Sequence, residues 1–235
     1  MQHTAPSTRQ QDMFRRVVLL GTPVILGILE LGHPLLDHMN PIKMLVPIVT
    51  WWVVLHILLI PFFALMGYTF FLLLRGVENP AAMLARYATV VYISFTIGYD
   101  TLVGLSSGIL ASNADTLPPA QQNVIQQAMR DLYISSPITL SYLILLGSGI
   151  VAICSMSWAL ARAGVLWLPC VVLLGTVLSA YSHATPFGPL GSAFFFLAAL
   201  WIELVWRKSS SKEGVVAAPA ANKGDEFAVN VPGGD

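Results

Sequence analysis

The chain has 235 residues, 56% of them hydrophobic and only 10% charged, with a formal net charge of zero. Soluble globular chains carry about 25% charged residues, so this deficit argues against a water-soluble domain and for lipid as the solvent of most of the chain. The zero net charge offers no electrostatic basis for binding nucleic acid.

Residues 1–13 read as a disordered polar N-terminus. Arg15 and Arg16 precede a long apolar run that contains Glu30 and lacks an A-x-A cleavage site, which predicts a retained helix and not a signal peptide. That first helix is expected from about Phe14 to Gly32, ended by Gly32-His33-Pro34, because the residue before proline is pushed out of the helical region. A loop with Asp37, His38, Asn40, Pro41 and Lys43 leads to a second helix over about Pro47–Leu74, with a kink expected at Pro61. After a turn at Arg75 to Pro80, a third helix is expected over Ala81–Leu110. It carries Asp100 and the pair Gly104 and Gly108, whose spacing fits close helix packing.

Residues 112–136 form the long polar connection of the core. Within it, Pro118 to Tyr133 reads as a short amphipathic outer helix with Ile125, Ala128, Met129 and Leu132 on one face, suited to lie in the membrane interface or over the bundle. Three more helices are expected, over Pro137–Ala161, Val165–Tyr181 and Pro189–Trp206, the last two joined by the turn His183-Ala184-Thr185-Pro186-Phe187-Gly188-Pro189. Residues 207–235 read as a disordered tail. Cys154 and Cys170 lie inside apolar runs and read as apolar filler, not as a disulfide. The chain is therefore expected to be an all-α integral membrane protein whose residues 14–206 form a six-helix transmembrane domain.

Six spans place both termini on one side. Arg9, Arg15, Arg16, Arg75, Arg86, Arg162, Arg207, Lys208, Lys212 and Lys223 then share the terminal side, against Lys43 and Arg130 on the other. That bias predicts cytoplasmic termini in a plasma (inner) membrane. It also places His33, His38, His56 and His183 at the outer side or in the outer half. His56 falls roughly 13 Å into the second helix, and Asp100 lies at a similar depth in the third, at about 1.5 Å per residue. An unpaired carboxylate at such depth costs about 2.5–3.5 kcal/mol, so Glu30, His56 and Asp100 are expected to face the bundle interior and one another. Tyr99 and Tyr181 would add hydroxyls to the same cavity. Trp51 and Trp52 read as interfacial anchors.

Imidazoles from His33, His56 and His183 with a carboxylate from Asp100 or Glu30 suit a divalent metal, zinc or iron, held between facing helices. In that reading Asp100 or Glu30 is the catalytic base or orienting group, and the substrate is lipid-like or apolar. Each residue also has a plain structural role open to it: His33 can end a helix, His38 can be solvated, His183 can cap a turn, and Glu30 can latch a neighbouring helix. Glu30-x-x-His33 resembles the ExxH of di-iron bundles but occurs once, and the chain has no HExxH. The alternatives are a haem b held by two histidines, a proton-coupled transporter, and an accessory subunit with a structural polar cluster. The sequence names no protein partner.

The residue types of the centre are loosely similar to those of the ceramidase and adiponectin-receptor superfamily, where histidines and an aspartate in a bundle hold zinc. Its paired-histidine motif on the last helix and its seventh helix are missing here. Glu30 to Pro34 (ELGHP), the WWxxLH of Trp51 to His56, Gly98-Tyr99-Asp100 and the His183 to Pro189 turn look like a group of uncharacterised multi-pass membrane proteins of bacteria. That resemblance covers residues 14–206 and implies an inner-membrane location but no activity and no catalytic residue.

Overall fold

The computed structural model describes residues 8–35 and 39–206, so Asp37, His38 and the expected tail lie outside the described residues. It is all-helical, with no strand among the described residues. The helices are α1 (Thr8–Leu31), α2 (Pro41–Leu45), α3 (Val49–Leu73), α4 (Pro80–Tyr99), α5 (Ser106–Ala114), α6 (Pro119–Ile134), α7 (Ser136–Arg162), α8 (Trp167–Leu174), α9 (Val177–Tyr181) and α10 (Phe187–Trp201). A 3₁₀ turn at Val46–Ile48 joins α2 to α3. The π-helical segments Asp100–Leu105 and Ile202–Trp206 follow α4 and α10.

Start and stop chemistry explains the boundaries. Asn79 caps α4 by accepting the Ala82 N–H, and proline stands in the first turn of α2, α4, α6 and α7, where a missing N–H costs nothing. Gly76 and Gly164, which follow the ends of α3 and α7, take positive φ of 81° and 87°. Pro23 and Pro61 sit inside continuous helices.

Four helical segments are long and apolar enough to cross a membrane: Pro41–Leu73, Pro80–Ala114, Ser136–Arg162 and Phe187–Trp206. This corrects the expected six in two places. Any stretch of α1 long enough to cross carries at least three charged residues, Arg15 and Arg16 always among them. The expected fifth helix breaks at Gly175–Thr176, so α8 and α9 together make one shorter apolar rod, Trp167–Tyr181.

Six rods nevertheless pack side by side. α1 lies between α3 and α10, α4 packs along α7, and α8 and α9 close the ring between α7 and α10. The core is apolar, with Leu19, Leu55, Leu59, Phe70, Ile153, Met156 and Phe195 at 2% exposure or less. Outward faces carry exposed apolar side chains such as Ile28, Leu84, Tyr87, Leu143, Trp167 and Leu197, as expected where lipid and not water is the neighbour. Cys154 and Cys170 are both free. Cys154 is exposed on α7, so only Cys170 is buried filler.

One end of the bundle is held by an ion pair. The Arg15 guanidinium donates to both Glu203 carboxylate oxygens, at 2.6 and 2.5 Å, with both side chains buried, tying the first and last helices of the described chain. At the opposite end, α6 buries Met129 against Ile42, Leu45, Trp52, Ala111 and Ala114. Tyr133 donates to Ser107 Oγ at 2.8 Å, and Arg130 binds the Met39 carbonyl, so the amphipathic helix rests on α2 and α5 as expected.

Candidate metal centre

Three separate pieces of chain deliver the histidines. α1 stops at Leu31, and the Gly32-His33-Pro34 exit turns His33 inward; its Nδ1–H donates to the Pro34 carbonyl at 2.8 Å. His56 lies on the buried face of α3, where its Nδ1–H donates to the Trp52 carbonyl one turn back, at 2.7 Å. His183 sits in the turn between α9 and α10, which is clamped to the end of α1. Thr185 Oγ1 donates to the Glu30 carbonyl at 3.0 Å and to the Leu31 carbonyl at 3.3 Å, and the Thr185 N–H reaches the His33 carbonyl at 3.4 Å. Gly188 is required there, because a Cβ would fall 2.2 Å from the His183 carbonyl oxygen.

Asp100 opens the π-helical segment, a form found mostly as short bulges at functional sites. The bulge carries the buried Asp100 side chain toward the imidazoles and sets Gly104 flat against His56. Trp52 locks this arrangement by donating its indole N–H to the Gly104 carbonyl at 2.7 Å. The pair Gly104 and Gly108 does mark close approach, but of α3 side chains: His56 covers Gly104, and Trp52 and Val53 cover Gly108.

The Nε2 atoms converge. His33 Nε2 is 3.3 Å from His56 Nε2 and 3.1 Å from His183 Nε2, and the three donors lie within 4.8 Å of one another. Asp100 Oδ1 stands 3.4 Å from His183 Nε2 and 3.7 Å from His56 Nε2. Four donors about 2.0–2.1 Å from one zinc at tetrahedral angles are about 3.3 Å apart, so these separations match the edges of a zinc shell.

The proton count sharpens the point. A carbonyl can only accept, so the bonds to Pro34 and Trp52 place a proton on Nδ1 of His33 and of His56. Burial pushes the His33 imidazole down to about 4 and holds His183 well below its ordinary range, so neither carries a second proton at neutral pH. With neutral rings, Nε2 of His33 and Nε2 of His56 face each other as bare lone pairs at 3.3 Å. Both Asp100 oxygens are buried and lack a hydrogen-bond partner. Lone pairs and a carboxylate aimed at one point call for a cation.

No protein-family model, curated protein or solved structure matches the chain. The centre is therefore read from its own geometry.

The expected residues do not all meet. His33, His56, His183 and Asp100 form one cluster. Glu30 is fully buried a turn away on α1, where Oε2 accepts from Ser192 Oγ at 2.8 Å, and no contact joins it to the imidazoles among those the structure shows. A bis-histidine haem fits poorly. Axial nitrogens approach iron from opposite faces of the macrocycle, and His183 Nε2, 3.1 Å from His33 Nε2, occupies the space the macrocycle needs. Trp52, expected as an anchor, is instead 2% exposed and part of the centre, its ring 5.0 Å from that of His33 and 4.4 Å from that of His56. Trp51 keeps the anchor role, exposed and donating to the Gly32 carbonyl at 2.9 Å. Thr185, Gly188 and Ser192 were missed; only the Gly/Pro density of the His183 turn hinted at the first two.

The cluster lies in the wall of a cavity of about 420 Å³. Its α3 wall runs from Trp52 to Phe70, about 27 Å at about 1.5 Å per residue. Leu26, Phe63, Met66, Ile93 and Leu145 make most of it apolar, and Tyr99, Tyr142 and Tyr181 stand near the histidines. Tyr142 donates to the Tyr181 carbonyl at 2.9 Å, bridging α7 and α9.

Proposed function

We propose that this is a six-span membrane protein of the bacterial inner membrane with cytoplasmic termini, and that its outward-facing His33/His56/His183 centre binds a divalent metal and serves hydrolysis of a lipid-like substrate. The observation that carries the metal assignment is the pair of proton-free Nε2 atoms of His33 and His56, 3.3 Å apart beside the unpartnered Asp100 carboxylate.

The six-span reading counts α1 and the α8–α9 rod as crossings. Arg15 and Glu203 neutralise each other, which lowers the cost of α1 in lipid, and α8 and α9 are flanked on both sides by longer rods. The described basic residues Arg15, Arg16, Arg75, Arg86 and Arg162 lie at the Glu203 end and Lys43 and Arg130 at the histidine end, the pattern of a cytoplasmic and an outer face.

Bound at the imidazoles, zinc or iron would polarise a carbonyl and acidify a water. The chain supplies the rest. His33, His56 and His183 offer neutral donors, and the carbonyls of Pro34 and Trp52 fix two of the rings. Asp100, slightly further from the imidazoles than they are from each other, is placed to accept a proton at a carboxylate oxygen. The apolar slot receives an alkyl chain and excludes water from it, and the gap beside Tyr142 and Tyr181 suits entry from the bilayer. A second reading is favoured by the near-tetrahedral spacing of all four donors: Asp100 is itself a ligand, and the closed site holds its metal structurally or as cargo.

Metal content and a visible spectrum of the full chain purified in detergent test the assignment. One equivalent of zinc or iron without a Soret band is expected, abolished by His56→Ala with membrane insertion retained. Full metal occupancy in His56→Ala would sink the site. Asp100→Asn separates the two readings: metal kept with hydrolysis of long-chain esters or amides lost supports the base, and metal lost supports the fourth ligand.

A further inference from the structure

Glu30 is the one carboxylate in the cavity wall that the metal centre does not use. It is fully buried and lines the cavity, and although Oε2 accepts from Ser192, Oε1 has no partner in the protein. Tyr92, Thr96 and Ser179 line the cavity on the facing helices, and Tyr92 lies close to Glu30, Thr96 and Ser179. A buried carboxyl oxygen without a partner costs about 1–3 kcal/mol or more, which a polar group arriving in the cavity would remove. Its position is specific. Glu30 precedes His33 by three residues on the same face of α1, so it lies about one turn, roughly 5 Å, deeper in the slot than the histidines.

We propose that Glu30, with Ser192 behind it, recognises a hydroxyl on the alkyl chain of a single-tailed amphiphile whose head group lies at the histidine cluster. This rests on the metal-centre proposal above. A hydroxyl answers either protonation state of Glu30, since it donates to a carboxylate and accepts from a carboxylic acid. The roughly 5 Å offset corresponds to a hydroxyl on the β-carbon of an acyl group whose carbonyl sits at the metal. Below Glu30 the walls are Leu26, Met66, Phe70 and Ile93, which take the remaining methylenes and leave no place for a second polar group.

The test uses two zinc-directed probes of equal length, tetradecanohydroxamic acid and its β-hydroxy derivative, titrated calorimetrically into the zinc-loaded full chain in detergent. The β-hydroxy probe is expected to bind about ten-fold more tightly or better, the range for a hydrogen bond to a charged group. In the double variant Glu30→Leu/Ser192→Ala, which removes both partners at once, that preference is expected to fall within about two-fold. Zinc-dependent binding of the plain hydroxamate should persist and the melting temperature should not drop. Glu30→Gln, whose amide can still pair with a hydroxyl, is expected to keep part of the preference. Equal binding of the two probes to the wild-type chain overturns the Glu30 assignment alone, whether or not the double variant folds, as does a preference that survives in the double variant. Binding of neither probe in a zinc-dependent manner instead brings down the metal centre, and the hydroxyl site with it.

Discussion

Gly104→Ala is expected to abolish metal binding although Gly104 offers no ligand. A Cβ built there lies 1.9 Å from His56 Cδ2 and 2.4 Å from His56 Nε2. Carbon atoms in contact sit about 3.5–4.0 Å apart, so the ring would have to withdraw by about 1.5 Å or more. It has nowhere to go. Nδ1 is tied to the Trp52 carbonyl at 2.7 Å, Nε2 faces His33 at 3.3 Å, and the Trp52 indole packs on the ring while holding the Gly104 carbonyl. Metal donors tolerate displacements of about 0.2 Å, so the substitution in effect deletes His56 from the donor set. Loss of an outer partner alone costs about 10–100-fold in affinity, so loss of a donor should cost at least about 100-fold, near 2.7 kcal/mol. Overpacking adds about 1–3 kcal/mol of destabilisation. The assay is zinc competition against a chelator in detergent, beside thermal unfolding followed by circular dichroism. His56→Ala removes the ring the new methyl would strike, so in that background Gly104→Ala should add almost no destabilisation. A Gly104→Ala chain that binds zinc with wild-type affinity, or a clash that persists without His56, would refute the reasoning.

Three further outcomes follow from the same geometry. Thr185→Val removes the hydroxyl that clamps the His183 turn to the Glu30 and Leu31 carbonyls, and should weaken zinc about ten-fold with little change in melting temperature; unchanged affinity would show that the clamp does not position His183. Arg15→Leu leaves the buried Glu203 carboxylate with only Arg16, 3.8 Å away, and should destabilise the chain by about 3 kcal/mol, while Arg15→Leu/Glu203→Leu recovers most of it; a double variant no better than the single one in thermal melts would argue against an isolated pair. With Cys154 and Cys170 replaced by alanine, Gln121→Cys should react with a membrane-impermeant thiol reagent on intact cells and Glu78→Cys only after lysis; the reverse pattern would invert the proposed orientation.

The helical rods were legible because lipid-facing and core positions are both apolar, so each rod announces itself as a run of apolar residues whatever its neighbours are. The turns were legible for an equally local reason, since Gly76, Pro80, Pro118 and Gly164 punctuate the chain through their own backbone limits. The polar residues His33, His56, Asp100, His183 and Glu30 stood out because charge and imidazole are expensive in such a setting. Which of them meet was not legible. His33 and His183 are 150 residues apart and touch only because α10 packs on α1 and Thr185 grips its end. Asp100 and Glu30 looked equivalent in sequence, yet a π-helical bulge sends one to the imidazoles while Ser192 holds the other a turn away. Trp51 and Trp52 differ only by the ~100° that separates neighbours on a helix, and packing alone decides which faces lipid and which faces histidine. Composition and spacing thus determined that this chain forms apolar helices around scarce polar groups, because those are properties of each residue and its near neighbours. The tertiary structure decided that four of those groups share one point and a fifth stands apart, because convergence within 4 Å depends on how distant helices pack.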